Sequence, residues 1–156
     1  MNYLKALRRL CRIIFARLDR LPDQVDPAEA TTRFILARDQ FNRTKNIVNV
    51  AAFLPPKDRR LSIYRTPCCG EEKIWWLGDW YVARKRADRR AVLARADLQA
   101  LEYARQRLEI RPDRNPHPRH ANVTGWPEDK PALKMKAVDL ANRARLLLKP
   151  EASAWS

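Results

Sequence analysis

The sequence predicts an α+β fold: a short antiparallel sheet packed by helices. Three observations carry that expectation. A β-branched run and a period-two run flank a Pro-Pro turn near the middle of the chain, and helical periodicity appears on both sides of them. Nothing alternates strand with helix as a parallel sheet requires.

Residues 2–21 place Leu4, Leu7, Leu10, Cys11, Ile14, Leu18 and Leu21 at helical spacing, and Pro22 closes the segment. Its other faces carry Lys5, Arg8, Arg9, Arg12, Arg17 and Arg20 against the single acid Asp19. Such a basic amphipathic helix suits docking on its own domain, on an acidic protein partner or on nucleic acid. A membrane partner is not expected, because the apolar face holds no Trp and only Phe15. Pro22-Asp-Gln-Val-Asp-Pro27 reads as a linker. Residues 1–22 are therefore expected as an appendage, 26–150 as a single α+β domain and 151–156 as a loose tail.

Asp26-Pro27-Ala-Glu29 has the cap and first-turn proline of a short helix entering Thr31–Arg38. A polar cluster, 38–46, precedes Ile47–Leu54, the best strand candidate. Pro55-Pro56-Lys57-Asp58 is a turn, and Leu61–Arg65 alternates with period two, so a hairpin is expected over 47–65. Thr66-Pro-Cys-Cys-Gly70 interrupts the chain. Lys73–Val82, with Trp75, Trp76, Trp80 and Tyr81, fits either a third strand or the start of a helix. Ala83–Leu108 reads as helical, with Asp97 as a cap and Ala96, Leu98, Leu101, Ala104, Arg105 and Leu108 on one face. Residues 110–127 are irregular apart from an extended Ala121–Thr124. The last helix has Asp129 as cap, Pro131 in its first turn, and a stripe of Leu133, Ala137, Leu140, Ala141, Ala144 and Leu147. Pro150 stops it.

Charge narrows the function. The 156 residues, 46% of them apolar, suffice for one buried core. Lys and Arg number 32 against 18 Asp and Glu, a net charge of +14, and 23 of the 32 are arginine. That excess repels itself in a compact chain, so an anionic partner is expected, nucleic acid first. Arginine also presents a planar fork that fits phosphate. The three cysteines form no disulfide framework and suit a reducing cytoplasm. No apolar run reaches the roughly 18 residues of a spanning helix.

With glycine only at 70, 78 and 125, neither a phosphate-binding loop nor a dinucleotide fingerprint can be written, and no nucleophile elbow is present. The sharpest feature is Arg114-Asn-Pro-His-Pro-Arg-His-Ala-Asn122, which holds both histidines. His117 and His120 could act as acid and base on a phosphate-containing substrate such as RNA or a nucleotide. Arg119, Arg43 or Lys45 would then hold the anion. Equally, prolines and imidazoles could only stiffen a loop. A zinc site shared with Cys68 and Cys69 is disfavoured, since adjacent cysteines diverge, and no metal or cofactor is expected.

A second constellation, Arg38, Asn42, Arg43, Thr44, Lys45 and Asn46, has the donor types that contact backbone phosphate, and Arg65 and Asn122 are further binding candidates. A third sets Trp75, Trp76, Trp80 and Tyr81 beside Arg84, Lys85 and Arg86. This suits base stacking, although at least two of the tryptophans are expected in the core. Segment 84–114 has ten basic and five acidic residues, too mixed for a recognition helix. The leading expectation is a nucleic-acid-binding protein or subunit of a nucleoprotein complex. The alternatives are the histidine enzyme and an adaptor that grips an acidic protein through residues 1–22.

Overall fold

The structure, a computed structural model, describes residues 18–84 and 91–151. The amphipathic helix expected over 2–21, and the adaptor role tied to it, lie almost wholly outside the described residues. Eight strands follow in chain order: β1 (Ala30–Ile35), β2 (Phe41–Asn42), β3 (Ile47–Val48), β4 (Leu61–Arg65), β5 (Ala94–Gln99), β6 (Glu109–Pro112), β7 (His120–Thr124) and β8 (Arg145–Leu148). Among the described residues three α-helices join them: α1 (Glu71–Leu77), continued by a π-helical turn over Gly78–Ala83, α2 (Ala100–Arg105) and α3 (Lys130–Arg143). The expected α+β class with an antiparallel sheet is present, but the sheet is larger, with six strands in the order β6-β7-β4-β1-β5-β8. Among the described residues no helix is long and apolar enough to cross a membrane.

Both faces of the sheet are covered. Ile35, Leu61, Ile63, Ala96 and Val123 point to one side, where Tyr103 of α2, Ala137 and Leu140 of α3, and Phe53 close the core. Phe34 and Tyr64 point to the other, against Ile74, Trp75 and Leu77 of α1. Gly78 is forced by this second layer: a Cβ there would stand 2.6 Å from the Phe34 ring. A strand buried on both faces does not alternate apolar with polar, and so loses its period-two signature.

That loss explains most of the corrections. Thr31–Arg38 is not a helix; β1 runs through it at the centre of the sheet, paired with β4 and β5. Asp26 does cap something, but only a turn: its Oδ1 accepts from the Ala28 N–H at 2.7 Å, and Glu29 N–H donates to the Asp26 carbonyl. The β-branched Thr31 and Thr32 then favour the extended chain. Ala83–Leu108 is not one helix. Its middle is β5, whose Ala94 and Ala96 are fully buried, and only Ala100–Arg105 is helical. Alanine has high helix propensity, yet six registered pairs with β1 override it. Asp97 therefore lies mid-strand, hydrogen-bonded to Thr32, rather than at a helix cap.

The expected 47–65 hairpin is also absent. Only Ile47–Val48 is extended, and it pairs with β2, while Val50–Ala52 curls into a 3-10 turn. β4 pairs with β1 and β7 instead. Lys73–Val82 resolves as helix and π turn. The last helix starts as expected, with Asp129 Oδ2 accepting from Ala132 N–H at 2.8 Å. It ends at Arg143, however, and Leu147 belongs to edge strand β8. Ala121–Thr124 is extended as expected, inside β7.

Candidate functional site

The candidate residues fall at opposite ends of the sheet. Register fixes this: Arg65 of β4 sits opposite Thr31 at the start of β1, whereas Ala94 of β5 pairs with Ile35 at its end. Arg65, His117, Arg119, His120 and Asn122 gather at the first end. Arg38, Asn42, Arg43, Thr44 and Lys45 lie at the second.

At the first end, the arginines are turned inward. Arg65, 1% exposed, forks onto Glu29 with Nε–Oε1 at 2.5 Å and Nη2–Oε2 at 2.8 Å. Its Nη1 donates to the Pro22 carbonyl at 2.6 Å. Arg119 is likewise buried, donating from Nε to Asp19 Oδ1 at 2.9 Å and from Nη1 to the carbonyls of Arg65 and Pro67. Lys73 Nζ reaches the same Asp19 oxygen at 2.6 Å. Burial by itself would raise the Asp19 pKa, but hydrogen bonds from Lys73 and Arg119 more than offset it, and the net shift is downward. These groups strap the segment around Asp19–Glu29 to the sheet end.

The two histidines play different parts. His117 is buried against Tyr81, ring centroids 4.7 Å apart, with Asp19 Oδ2 3.5 Å from Nε2. Its Nδ1 accepts the Arg119 N–H at 3.2 Å, which requires an unprotonated nitrogen there. Burial first, with Lys73, Arg119 and His120 adding to it, pulls its pKa down to about 4 against the opposing pull of Asp19. A neutral imidazole at pH 7 with that value is poorly matched to donating protons.

His120 is held differently. Its Nδ1 lies 2.8 Å from the Asp113 carbonyl and its Nε2 2.7 Å from Ser62 Oγ. A carbonyl accepts only, so Nδ1 carries the hydrogen, and in the neutral ring the Nε2 lone pair accepts the Ser62 O–H. That is the arrangement in which an imidazole activates a hydroxyl. Asn122 supports it by donating from Nδ2 to Asp113 Oδ2 at 2.9 Å.

No protein-family model matches the chain, and no curated protein or solved structure matches it significantly.

At the second end the arginines face solvent. Asn42 Oδ1 accepts from Lys45 N–H at 2.9 Å and shapes the exposed turn through Arg43 and Thr44. Arg38, Asn42 and Arg43 line a cleft of about 630 Å³ together with Phe41, Leu93 and Lys149. Glu151 also lines it, and Lys149 is paired with Asp79 at 2.5 Å. A second cleft shares Arg38 and Leu93 and reaches Ala91. Among the described residues neither Arg38 nor Arg43 has a carboxylate partner.

The aromatic constellation divides. Trp75 is buried, as is Trp126, while Trp76 is 46% exposed and Trp80 half-buried. Sequence reasoning missed Asp19 as the hub of the first end, Ser62 as the partner of His120, and Arg95. Buried in β5, Arg95 bonds Glu71 at 2.7 Å and Asp97 at 3.1 Å, with its guanidinium 4.9 Å from the Trp75 ring centroid. Among the described residues no group of three His, Cys, Asp or Glu is placed to hold a metal ion.

Proposed function

We propose that the protein binds nucleic acid through its phosphate backbone at the Arg38–Arg43 end of the sheet. The single observation behind this reading is the contrast between the two ends. Arg65 and Arg119 are bound to carboxylates and carbonyls, whereas Arg38 and Arg43 are exposed, unpaired among the described residues and share one cleft. Free guanidinium groups beside an amide and a hydroxyl are the donor set for phosphate oxygens. In sequence, Ala91 of the adjoining cleft follows directly on Arg89 and Arg90, which adds cationic residues to this stretch of chain. The reading predicts that affinity for a short duplex falls steeply as salt rises. Arg38→Ala with Arg43→Ala should lower the log–log slope by about two, one for each lost phosphate contact. Fluorescence anisotropy across salt concentrations measures it, and a flat profile would remove the proposal.

A second reading, a small enzyme acting on a phosphate-containing substrate, is favoured by the contact between Ser62 Oγ and His120 Nε2 at 2.7 Å. In it Ser62 attacks phosphorus, its proton passes to His120 Nε2, and the leaving group departs. A fluorophosphonate probe should therefore label Ser62 with loss of fluoride, and Ser62→Ala should take up none. Wild-type protein that stays unlabelled by mass spectrometry would exclude it.

A further inference from the structure

We propose that Trp76 is a stacking platform for an unpaired base, so that a single strand is bound in preference to a duplex; this rests on the backbone-binding reading above. Trp76, Trp80 and Arg84 recur at four-residue intervals along α1 and the π turn, and none of the three is buried. The two indoles stack with centroids 6.2 Å apart and planes 15° apart. The Arg84 guanidinium lies 3.8 Å from the Trp80 centroid, and Tyr81 stands edge-on to Trp76 at 5.6 Å. Trp76 is thus fixed by aromatic neighbours while nearly half its surface stays in water.

An exposed ring held in this way offers stacking area with little further ordering to do on binding. The neighbouring cation selects the occupant: an apolar peptide would use the ring alone, whereas a strand of unpaired bases uses both the ring and the Arg84 guanidinium. Glu72, one turn before Trp76 and exposed, repels phosphate from that side. The base therefore sits on Trp76 and the backbone runs towards Arg84. A duplex keeps its bases stacked inside and cannot use the ring.

The test follows tryptophan emission of the full chain at low salt. An oligothymidylate strand, a duplex of equal length and inorganic polyphosphate are titrated in turn. The single strand should quench emission and bind tightest. Trp76→Ala should weaken that binding about tenfold and leave duplex and polyphosphate unchanged. Trp76→Phe, which keeps a stacking face, should retain most of the affinity. Equal strand binding by wild type and Trp76→Ala would overturn the inference, as would shielding of Trp76 from acrylamide in the free protein. Salt-dependent duplex and polyphosphate binding would survive that failure. If wild type binds none of the three, the backbone reading fails with it.

Discussion

Replacing Arg65 by alanine is expected to cost about 3–5 kcal/mol of folding free energy, the usual range when one member of a buried ion pair is removed. The reason is what remains. Glu29 is buried, and its two carboxylate oxygens take both arms of the Arg65 fork. Without the guanidinium it is left as an uncompensated charge, and the carbonyls of Pro22 and Gln24 lose a donor as well. Arg65→Lys should recover only part of the loss, because an ammonium is a point charge that cannot bridge two oxygens and two carbonyls from one plane. Urea unfolding followed by circular dichroism measures the effect. In a domain of this size a loss of that order lowers the melting temperature by roughly 10 °C. A change below about 1 kcal/mol would mean that water or a rearranged segment 22–29 satisfies Glu29. The double variant Arg65→Met with Glu29→Met should lie close to wild type, since burying two apolar chains strands no charge.

The same pair shows where reading the sequence stops. In sequence, Arg65 is one more cation in a basic chain, and nothing local distinguishes it from Arg38. Their fates are set by strand register, which places Arg65 opposite Thr31 and so beside Glu29, 36 positions away. Elements ruled by local chemistry were legible: the Asp129 cap with its proline, the Leu61–Arg65 strand and the extended Ala121–Thr124. Elements ruled by long-range pairing were not. β1 and β5 are buried on both faces, and β5 is built largely from helix-forming Ala, Leu and Gln, so periodicity and propensity both misled. In the candidate site, the separation of Trp75 from Trp76 was partly legible, since core was expected for at least two tryptophans. The inward turn of Arg119 was not, because its partner Asp19 lies 100 residues away.

Lowering the pH from 7 towards 4 is expected to remove about 2–3 kcal/mol of stability through His117 alone. Its folded pKa is about 4, against an ordinary value of 6.5. The unfolded chain therefore takes the proton first. The stabilisation is fully present above about pH 6.5 and is lost progressively as pH falls towards 4. The groups facing the ring account for the shift. Burial disfavours the imidazolium, Lys73, Arg119 and His120 repel it, and only Asp19 draws it on. Protonation at Nδ1 would also break the bond accepted from the Arg119 N–H. Asp19 titrates in a separate, lower window. Its folded pKa lies below 3.8, so the stability it lends is held above that value and lost only as pH falls through the folded pKa. His117→Gln isolates the histidine contribution, because its amide oxygen can still accept the Arg119 N–H and it has no proton to gain. Stability measured by urea unfolding at several pH values between 7 and 4.5 should fall faster in wild type than in this variant, by about 2 kcal/mol over that range. Parallel curves would show that the ring gains its proton as readily in the fold as outside it. The strap of Asp19, Lys73 and Arg119 would then hold without a neutral imidazole beside it.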